Sequence, residues 1–215
     1  NFNGQDIAIS SSGIGLSGSN GNLIANRVGI SQTTVGISSI SGSSVEVSNI
    51  TGSDVTLLVD AANSDDLQLN TAAVAGHRLL SANGATQYRL NDIRFQSSTD
   101  ANRATIDSNC AGTCQFNQLE VWDSNHLATL SGNGQPEFTA SQLTGHDSGI
   151  SASGEGTLSI QSTNITTQQN ALIISGPDSS LQTVAIEHLA STERSVNVLG
   201  GTHDWNDVII TKTYS

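Results

Sequence analysis

Residues 129–176 read TLSGNGQPEFTASQLTGHDSGISASGEGTLSIQSTNITTQQNALIISG, and this stretch repeats one short phrase. The phrase alternates apolar residues with small polar residues and ends in glycine. Its final glycines are Gly132, Gly154 and Gly176, and a further copy ends at Gly200. Steps of 22, 22 and 24 residues separate these glycines. A repeat of about 20 to 50 residues is typical of solenoid proteins, in which each repeat packs on its neighbours.

Two sets of apolar residues share this period and are expected to stack in columns. One column is predicted to contain Leu130, Ala152, Ile174 and Val198. The other is predicted to contain Leu69, Leu90, Phe116, Phe138, Ile160 and Val184. Each of its members is followed five positions later by a second apolar residue. The first of these is Val74, after Leu69, and the last is Leu189, after Val184. Residues 1–60 show the same alternation less regularly.

The spacing predicts an all-β fold, a single right-handed parallel β-helix over residues 1–215. Alternation with period two places every other side chain inside. A strand of three to five residues cannot bury its apolar side alone, so equivalent segments must stack. We expect about ten coils of roughly 22 residues, with three short strands per coil. An antiparallel sandwich is the competing fold, and residues 71–80 are the best place for a helical turn.

The step from Leu90 to Phe116 is 26 residues, which indicates an insertion. We therefore predict a projecting loop near residues 96–114. Cys110 and Cys114, the two cysteines of the chain, lie in it and are expected to form a disulfide. Free thiols and a metal site are the alternatives, although no histidine lies closer than His126.

A polar residue follows the apolar column at one predicted corner. Asn70, Asn91 and Asn117 come directly after Leu69, Leu90 and Phe116. Stacked amides can hydrogen-bond along the solenoid axis, so these residues are candidates for an asparagine ladder. The alternative is that asparagine is simply frequent in turns.

The repeated phrases resemble those of the right-handed parallel β-helix proteins, which include pectate lyases, autotransporter passengers and filamentous adhesins. The resemblance covers nearly the whole chain and rests on pattern. It implies a three-sided prism with stacked interior columns. It implies no activity, because this fold carries both enzymes and structural proteins.

Composition limits the compartment and the partners. The net charge of −12 disfavours nucleic acid and anionic membranes. The apolar runs are too short to span a bilayer, so we expect no membrane insertion. The cysteine pair and the low charged content predict a secreted or cell-surface protein. No signal segment is visible at Asn1, so we expect a mature form.

Four residues are candidate contacts with a ligand or partner. Trp122 follows the inward Val121, so alternation places its indole outside, where it can stack on a sugar or cover a loop. His203, Asp204 and Trp205 form the densest polar cluster, a candidate Ca²⁺ or sugar contact or a terminal turn. We expect no catalytic residue and no cofactor, with Ca²⁺ as the one candidate metal ion.

Two functions follow from this sequence. No amphipathic helix caps either end, so we expect a structural or adhesive surface module that stacks with further coils or with other copies, in a filament or adhesin. The alternative is a secreted protein that binds or degrades polysaccharide near Trp122 or near residues 96–114. Ice binding is a weaker alternative, because Thr211-Lys212-Thr213 is the one Thr-x-Thr segment.

Overall fold

The computed structural model describes residues 1–97, 103–189 and 194–213, and for Thr86 the main chain alone. The described residues contain strands, turns and bends and no helix. All the strands join one sheet of parallel pairs, which winds into a β-solenoid of about 9 turns. The predicted solenoid class is therefore confirmed, close to the expected number of coils.

The fourteen strands differ greatly in length because several of them continue around a corner. They are β1 Phe2–Ser10, β2 Ile14–Gly18, β3 Asn22–Ile40, β4 Ser44–Ala62, β5 Asp66–Ser97, β6 Ala104–Ser131, β7 Gln135–Thr139, β8 Gln142–Ser153, β9 Thr157–Gln161, β10 Asn164–Thr167, β11 Leu172–Ser175, β12 Asp178–His188, β13 Val196–Leu199 and β14 His203–Lys212. In the first coil, face 1 contains residues 2–5, face 2 contains residues 7–10 and face 3 contains residues 14–18. Later coils repeat these three faces, except that the last described coil contains faces 1 and 2 alone, in β14.

The strand register confirms the column on which the fold prediction rested. Leu130 lies beside Ala152, Ala152 beside Ile174, and Ile174 beside Val198. The glycines that close these phrases also stack, since a Cβ on Gly154 would collide with the carbonyl oxygen of Gly132. The chain therefore returns to the same corner once per coil.

The second column needs one correction. Leu90, Phe116, Phe138 and Ile160 are neighbours as predicted, but the next residue is Leu181 and not Val184. In the following column Ile165 pairs with Ile186 and not with Leu189. Leu181 and Val184 are both buried and flank the bend at Thr183, so an apolar pattern alone does not distinguish them.

The corner between faces 1 and 2 is made by one residue per coil in the left-handed region. None of these residues is glycine, and their φ values lie between 49° and 60°. They are Asp6, Arg27, Asn49, Thr71, Asp92, Gln118, Ala140, Ser162, Thr183 and Asp207. A left-handed residue other than glycine costs roughly 1–2 kcal/mol, so the stacked coils must hold it in place.

The core is a continuous stack of apolar side chains inside the coils. Its widest part contains Tyr88, Phe116 and Phe138, all fully buried. The rings of Phe116 and Phe138 are stacked with centroids 4.5 Å apart, and Tyr88 meets Phe116 edge to face at 5.4 Å. This aromatic layer fills the middle coils, where the long step in the repeat occurs.

Two local predictions are wrong. Residues 71–80 lie within the strand β5, so no helical turn interrupts the coil there. Most of the predicted projecting loop, residues 96–114, is also strand, because β5 extends to Ser97 and β6 begins at Ala104. Residues 98–102 of that loop lie outside the described residues. Leu80 pairs with Ile106 and Leu90 pairs with Phe116, so the register shifts between these two pairs cancel. Residues 106–114 therefore lie on the solenoid wall without added length.

Candidate functional site

The three asparagines singled out in the sequence lie together at the corner between faces 1 and 2. The side-chain amide of Asn91 donates to Oδ1 of Asn70 at 2.9 Å, and that of Asn117 donates to Oδ1 of Asn91 at 2.9 Å. Each asparagine immediately precedes a left-handed residue and is half-buried. The contacts form a ladder along the solenoid axis.

The ladder position is polar in every coil, although asparagine occupies it in only some of them. The equivalent residues are Gln5, Asn26, Ser48, Asn70, Asn91, Asn117, Thr139, Gln161, Gln182 and Asn206. Gln161 donates to Gln182 at 3.2 Å, which extends the hydrogen bonding toward the C-terminal end. The amide contacts among Asn70, Asn91 and Asn117 and between Gln161 and Gln182 stabilise this corner. The two sets are separated by Thr139, whose buried Oγ1 has no hydrogen-bond partner among the described residues.

Cys110 and Cys114 form a disulfide inside the wall of the solenoid. Both residues are about 1% exposed or less, and both lie in β6. The bond excludes the free-thiol and metal alternatives. It also lies against the next coil, because a Cβ on Gly134 would be 2.6 Å from Sγ of Cys110. The disulfide therefore closes a corner and does not hold a projecting loop.

The cluster His203, Asp204 and Trp205 is divided between the inside and the outside of β14. His203 and Trp205 are half-buried, whereas Asp204 is exposed. The indole Nε1 of Trp205 donates to Oγ of Ser179 at 3.0 Å, and Nδ1 of His203 lies 2.8 Å from the same oxygen. The two rings thus cover the last coil, and the three side chains do not converge on one ligand.

Trp122 lies on face 2 beside a small group of polar side chains. It is half-buried and pairs with Gln96 of the preceding coil. Gln96 Nε2 donates to Oδ2 of Asp123 at 2.9 Å, and His146 Nε2 lies 3.8 Å from Oδ1 of the same carboxylate. An adjoining open recess of about 240 Å³ is lined by Asp54, Ala75, Gly76, His77, Gln96 and Ser97.

This group lacks the geometry of a glycoside hydrolase. Asp54 and Asp123 occupy the same corner three coils apart, which corresponds to about 14 Å at the ordinary strand spacing. Paired catalytic carboxylates lie about 5–9.5 Å apart. Within residues 1–97, 103–189 and 194–213, no group of three or more His, Cys, Asp or Glu side chains is arranged to hold a metal ion.

Comparison of the chain with protein-family models, with curated proteins and with solved structures finds no match. The described part of the chain also contains no helix long and apolar enough to cross a membrane.

The two ends of the solenoid are the surfaces with the most distinctive chemistry. Among the residues that the structure describes, seven large apolar side chains are exposed, and five of them lie in the terminal coils: Phe2, Ile14, Leu199, Ile209 and Ile210. The strands there pair on one side only within the described residues, β1 and β2 with β3, β13 with β11 and β14 with β12. Each end thus combines an unpaired strand edge with an exposed cross-section of the core.

Proposed function

We propose that this chain is an extracellular structural or adhesive module of the filament or adhesin type, and that its ends are its binding surfaces. The supporting observation is the pair of uncapped ends described above. Unpaired strand edges are templates for further strands, and solenoids that act alone normally cover them. The polar outer faces and the acidic charge favour solubility along the sides. Binding is thereby directed to the ends.

The compartment follows from the disulfide and the composition. A buried disulfide in a chain with few charges is typical of secreted and surface proteins. The ladder and the disulfide stabilise the side walls without using them for binding. The partner is therefore expected at the ends, as further coils or other copies.

The test is the assembly state of the chain and of two matched variants. Ile210→Asp places a charge on the C-terminal opening, where Ile210 is 48% exposed. Ile24→Asp is the control, since Ile24 is 44% exposed but lies on the outer side of face 1, in the second coil, and not at the core opening. Sedimentation velocity across a hundredfold range of concentration, with electron microscopy, should show rods that Ile210→Asp abolishes and Ile24→Asp retains. A strict monomer at every concentration would contradict the proposal.

A second function is favoured by Trp122 and its neighbours. An indole beside an amide, a carboxylate and an imidazole can stack on a neutral sugar and hydrogen-bond its hydroxyls. A glycan screen with and without Ca²⁺ tests this function. Trp122→Ala should abolish any binding, whereas Trp205→Phe should retain it. Absence of binding to every neutral and acidic glycan would remove this candidate.

A further inference from the structure

We infer that face 2 binds an oligosaccharide that carries free amino groups, in a trough formed by three neighbouring coils of β4 and β5. The trough joins the recess beside His77 and Gln96 to a second recess, of about 310 Å³, at the other edge of face 2. The inference rests on the second candidate function, glycan binding, and adds to it the place, the direction and the charge of the ligand. It involves neither terminal coil.

The trough exists because the middle coil of the three has the smallest outward side chains on face 2, Ala73 and Ala75. Ala73 lines the recess of about 310 Å³ and Ala75 lines the recess of about 240 Å³, so the two recesses meet in the middle of the face. The larger side chains of Arg94 and Gln96, in the next coil, form one wall, and Trp122 pairs with Gln96 behind it. The trough therefore runs along the strand direction, across the solenoid axis.

Uncharged hydrogen-bonding groups lie along the trough. Asn49, Thr51 and Thr71 line the first recess, and all three are exposed. Gln96 lines the second recess, and its donation to Asp123 at 2.9 Å fixes the amide group at the wall. Hydroxyl and amide groups of this kind form hydrogen bonds with the hydroxyls of a sugar.

The two ends of the trough carry unpaired negative charge. Asp92 lines the first recess and Asp54 lines the second, and both are exposed. Neither carboxylate forms an ion pair with a described residue. The guanidinium of the wall is neutralised, because Nε of Arg94 lies 3.3 Å from Oε2 of Glu120. A positively charged ligand therefore matches this surface, and the net charge of −12 attracts it from a distance.

The separation of the two carboxylates requires an extended ligand. Asp54 and Asp92 lie at opposite edges of face 2 and two coils apart, which corresponds to about 15–20 Å at the ordinary rise per residue and strand spacing. A short linear oligosaccharide with an amino group on each unit contacts both. An aliphatic polyamine spans the same distance but leaves the hydroxyl and amide groups unused. An extended peptide binds through its backbone to the edge of a sheet, whereas the trough lies on a face.

A glucosamine hexamer and its fully N-acetylated counterpart test the inference, because they share one backbone and differ in charge. Isothermal titration calorimetry at pH 6 and low salt should give a dissociation constant at least tenfold lower for the amino form. Asp54→Asn and Asp92→Asn should each weaken its binding about threefold, since each removes one exposed ion pair. The double variant should weaken it about tenfold, because the two positions are far apart and their effects add.

Two further variants provide the controls. Asp65 is an exposed carboxylate that begins the same middle coil, at the corner away from face 2, so Asp65→Asn removes one charge outside the trough and should leave the dissociation constant unchanged. Ala73→Phe fills the floor at an exposed strand position that accepts an aromatic residue, and it should abolish binding. Urea unfolding of each variant verifies that the solenoid is retained.

The possible outcomes separate the inference from the function on which it rests. Equal weakening by Asp65→Asn would show that the ligand responds to overall charge, which would overturn the site. Equal binding of the acetylated hexamer would overturn the charge of the ligand while leaving glycan binding intact. Binding that survives Ala73→Phe but is lost in Trp122→Ala would overturn the trough and leave the second candidate function at Trp122. Failure of both hexamers to bind would overturn the inference, and the wider glycan screen then decides the second function separately.

Discussion

Gly154 shows how closely successive coils approach at the corner between face 3 and the following face 1. Its backbone φ is +114°, a value that residues other than glycine rarely adopt. A Cβ at this position would also collide with the carbonyl oxygen of Gly132, which cannot move without disturbing its own coil. Conformation and space therefore both require glycine there.

We expect Gly154→Ala to lower the free energy of unfolding by about 3 kcal/mol, since left-handed strain and overpacking add. Gly13→Ala is the matched control, because no atom lies within 4 Å of its added Cβ. Its effect should stay within about 0.5 kcal/mol. Urea unfolding followed by circular dichroism measures both values, and equal effects would contradict the stacked-glycine corner.

Tyr88 makes the solenoid sensitive to alkaline conditions. Burial raises the pKa of its hydroxyl above the usual value, while the hydrogen bond to Ser108 acts in the opposite direction. In the unfolded chain a tyrosine ionises at about pH 10. The unfolded state therefore loses a proton that the folded state keeps, so stability is fully present below pH 10 and falls as the pH rises above it.

The Tyr88→Phe variant removes this titration. We expect it to be about 1 kcal/mol less stable near neutral pH, because the hydrogen bond to Ser108 is lost. Its stability should fall less steeply than that of the unmodified chain between pH 10 and pH 11. Urea midpoints across this interval provide the measurement. Parallel pH profiles would show that Tyr88 is not the residue responsible.

At the scale of an element, the ladder is the feature that joins neighbouring coils. Asn91 both donates to Asn70 and accepts from Asn117, so it contributes two hydrogen bonds between three coils. Half-buried amides that lose their partners cost more than the bonds themselves contribute. The ladder therefore supports the left-handed residues Thr71, Asp92 and Gln118 that follow its members.

Asn91→Ala should destabilise the chain by about 2 kcal/mol, since two bonds are lost and two neighbouring amides lose a partner. The exposed Asn133 lies outside the ladder, and Asn133→Ala should change stability by less than about 0.5 kcal/mol. Thermal unfolding of the two variants gives the comparison. A loss of stability as large at Asn133 as at Asn91 would show that the ladder contributes nothing specific.

At the scale of the whole molecule, charge opposes the assembly that the ends favour. Each copy carries a net charge of −12, so copies repel one another at low ionic strength. The screening length falls from about 30 Å at 0.01 M salt to about 3 Å at 1 M. The contact proposed at the ends would be mainly apolar, and an apolar contact is little affected by salt.

We therefore expect added NaCl to promote assembly and to lower the concentration at which rods form, by about tenfold between 0.01 M and 0.5 M. Light scattering against concentration at each ionic strength measures this change. Dissolution of rods by salt would indicate that ion pairs, and not apolar columns, hold the copies together.

The repeat determined much of this protein by itself. Alternation and the 22-residue step predicted the solenoid class and the column from Leu130 to Val198, because these depend on local spacing. The disulfide was predicted separately, from two cysteines close together in a chain with few charges. Asn70, Asn91 and Asn117 could be proposed for one corner for the same reason. The sequence placed Val184 and not Leu181 in the column after Ile160, because both residues are apolar and both lie next to the same bend.

Tertiary structure alone decided what the pattern left open. The sequence did not predict the left-handed bends at residues such as Arg27 and Ala140, because glycine does not mark them. The stacked coils, and not a local conformational preference, stabilise these bends. The same stacking turned residues 104–114 into wall and separated His203 and Trp205 from Asp204. The exposure of both core openings is likewise a property of the assembled coils. The period of the sequence predicts which residues share a column. The burial of a residue depends also on the coils that stack above and below it.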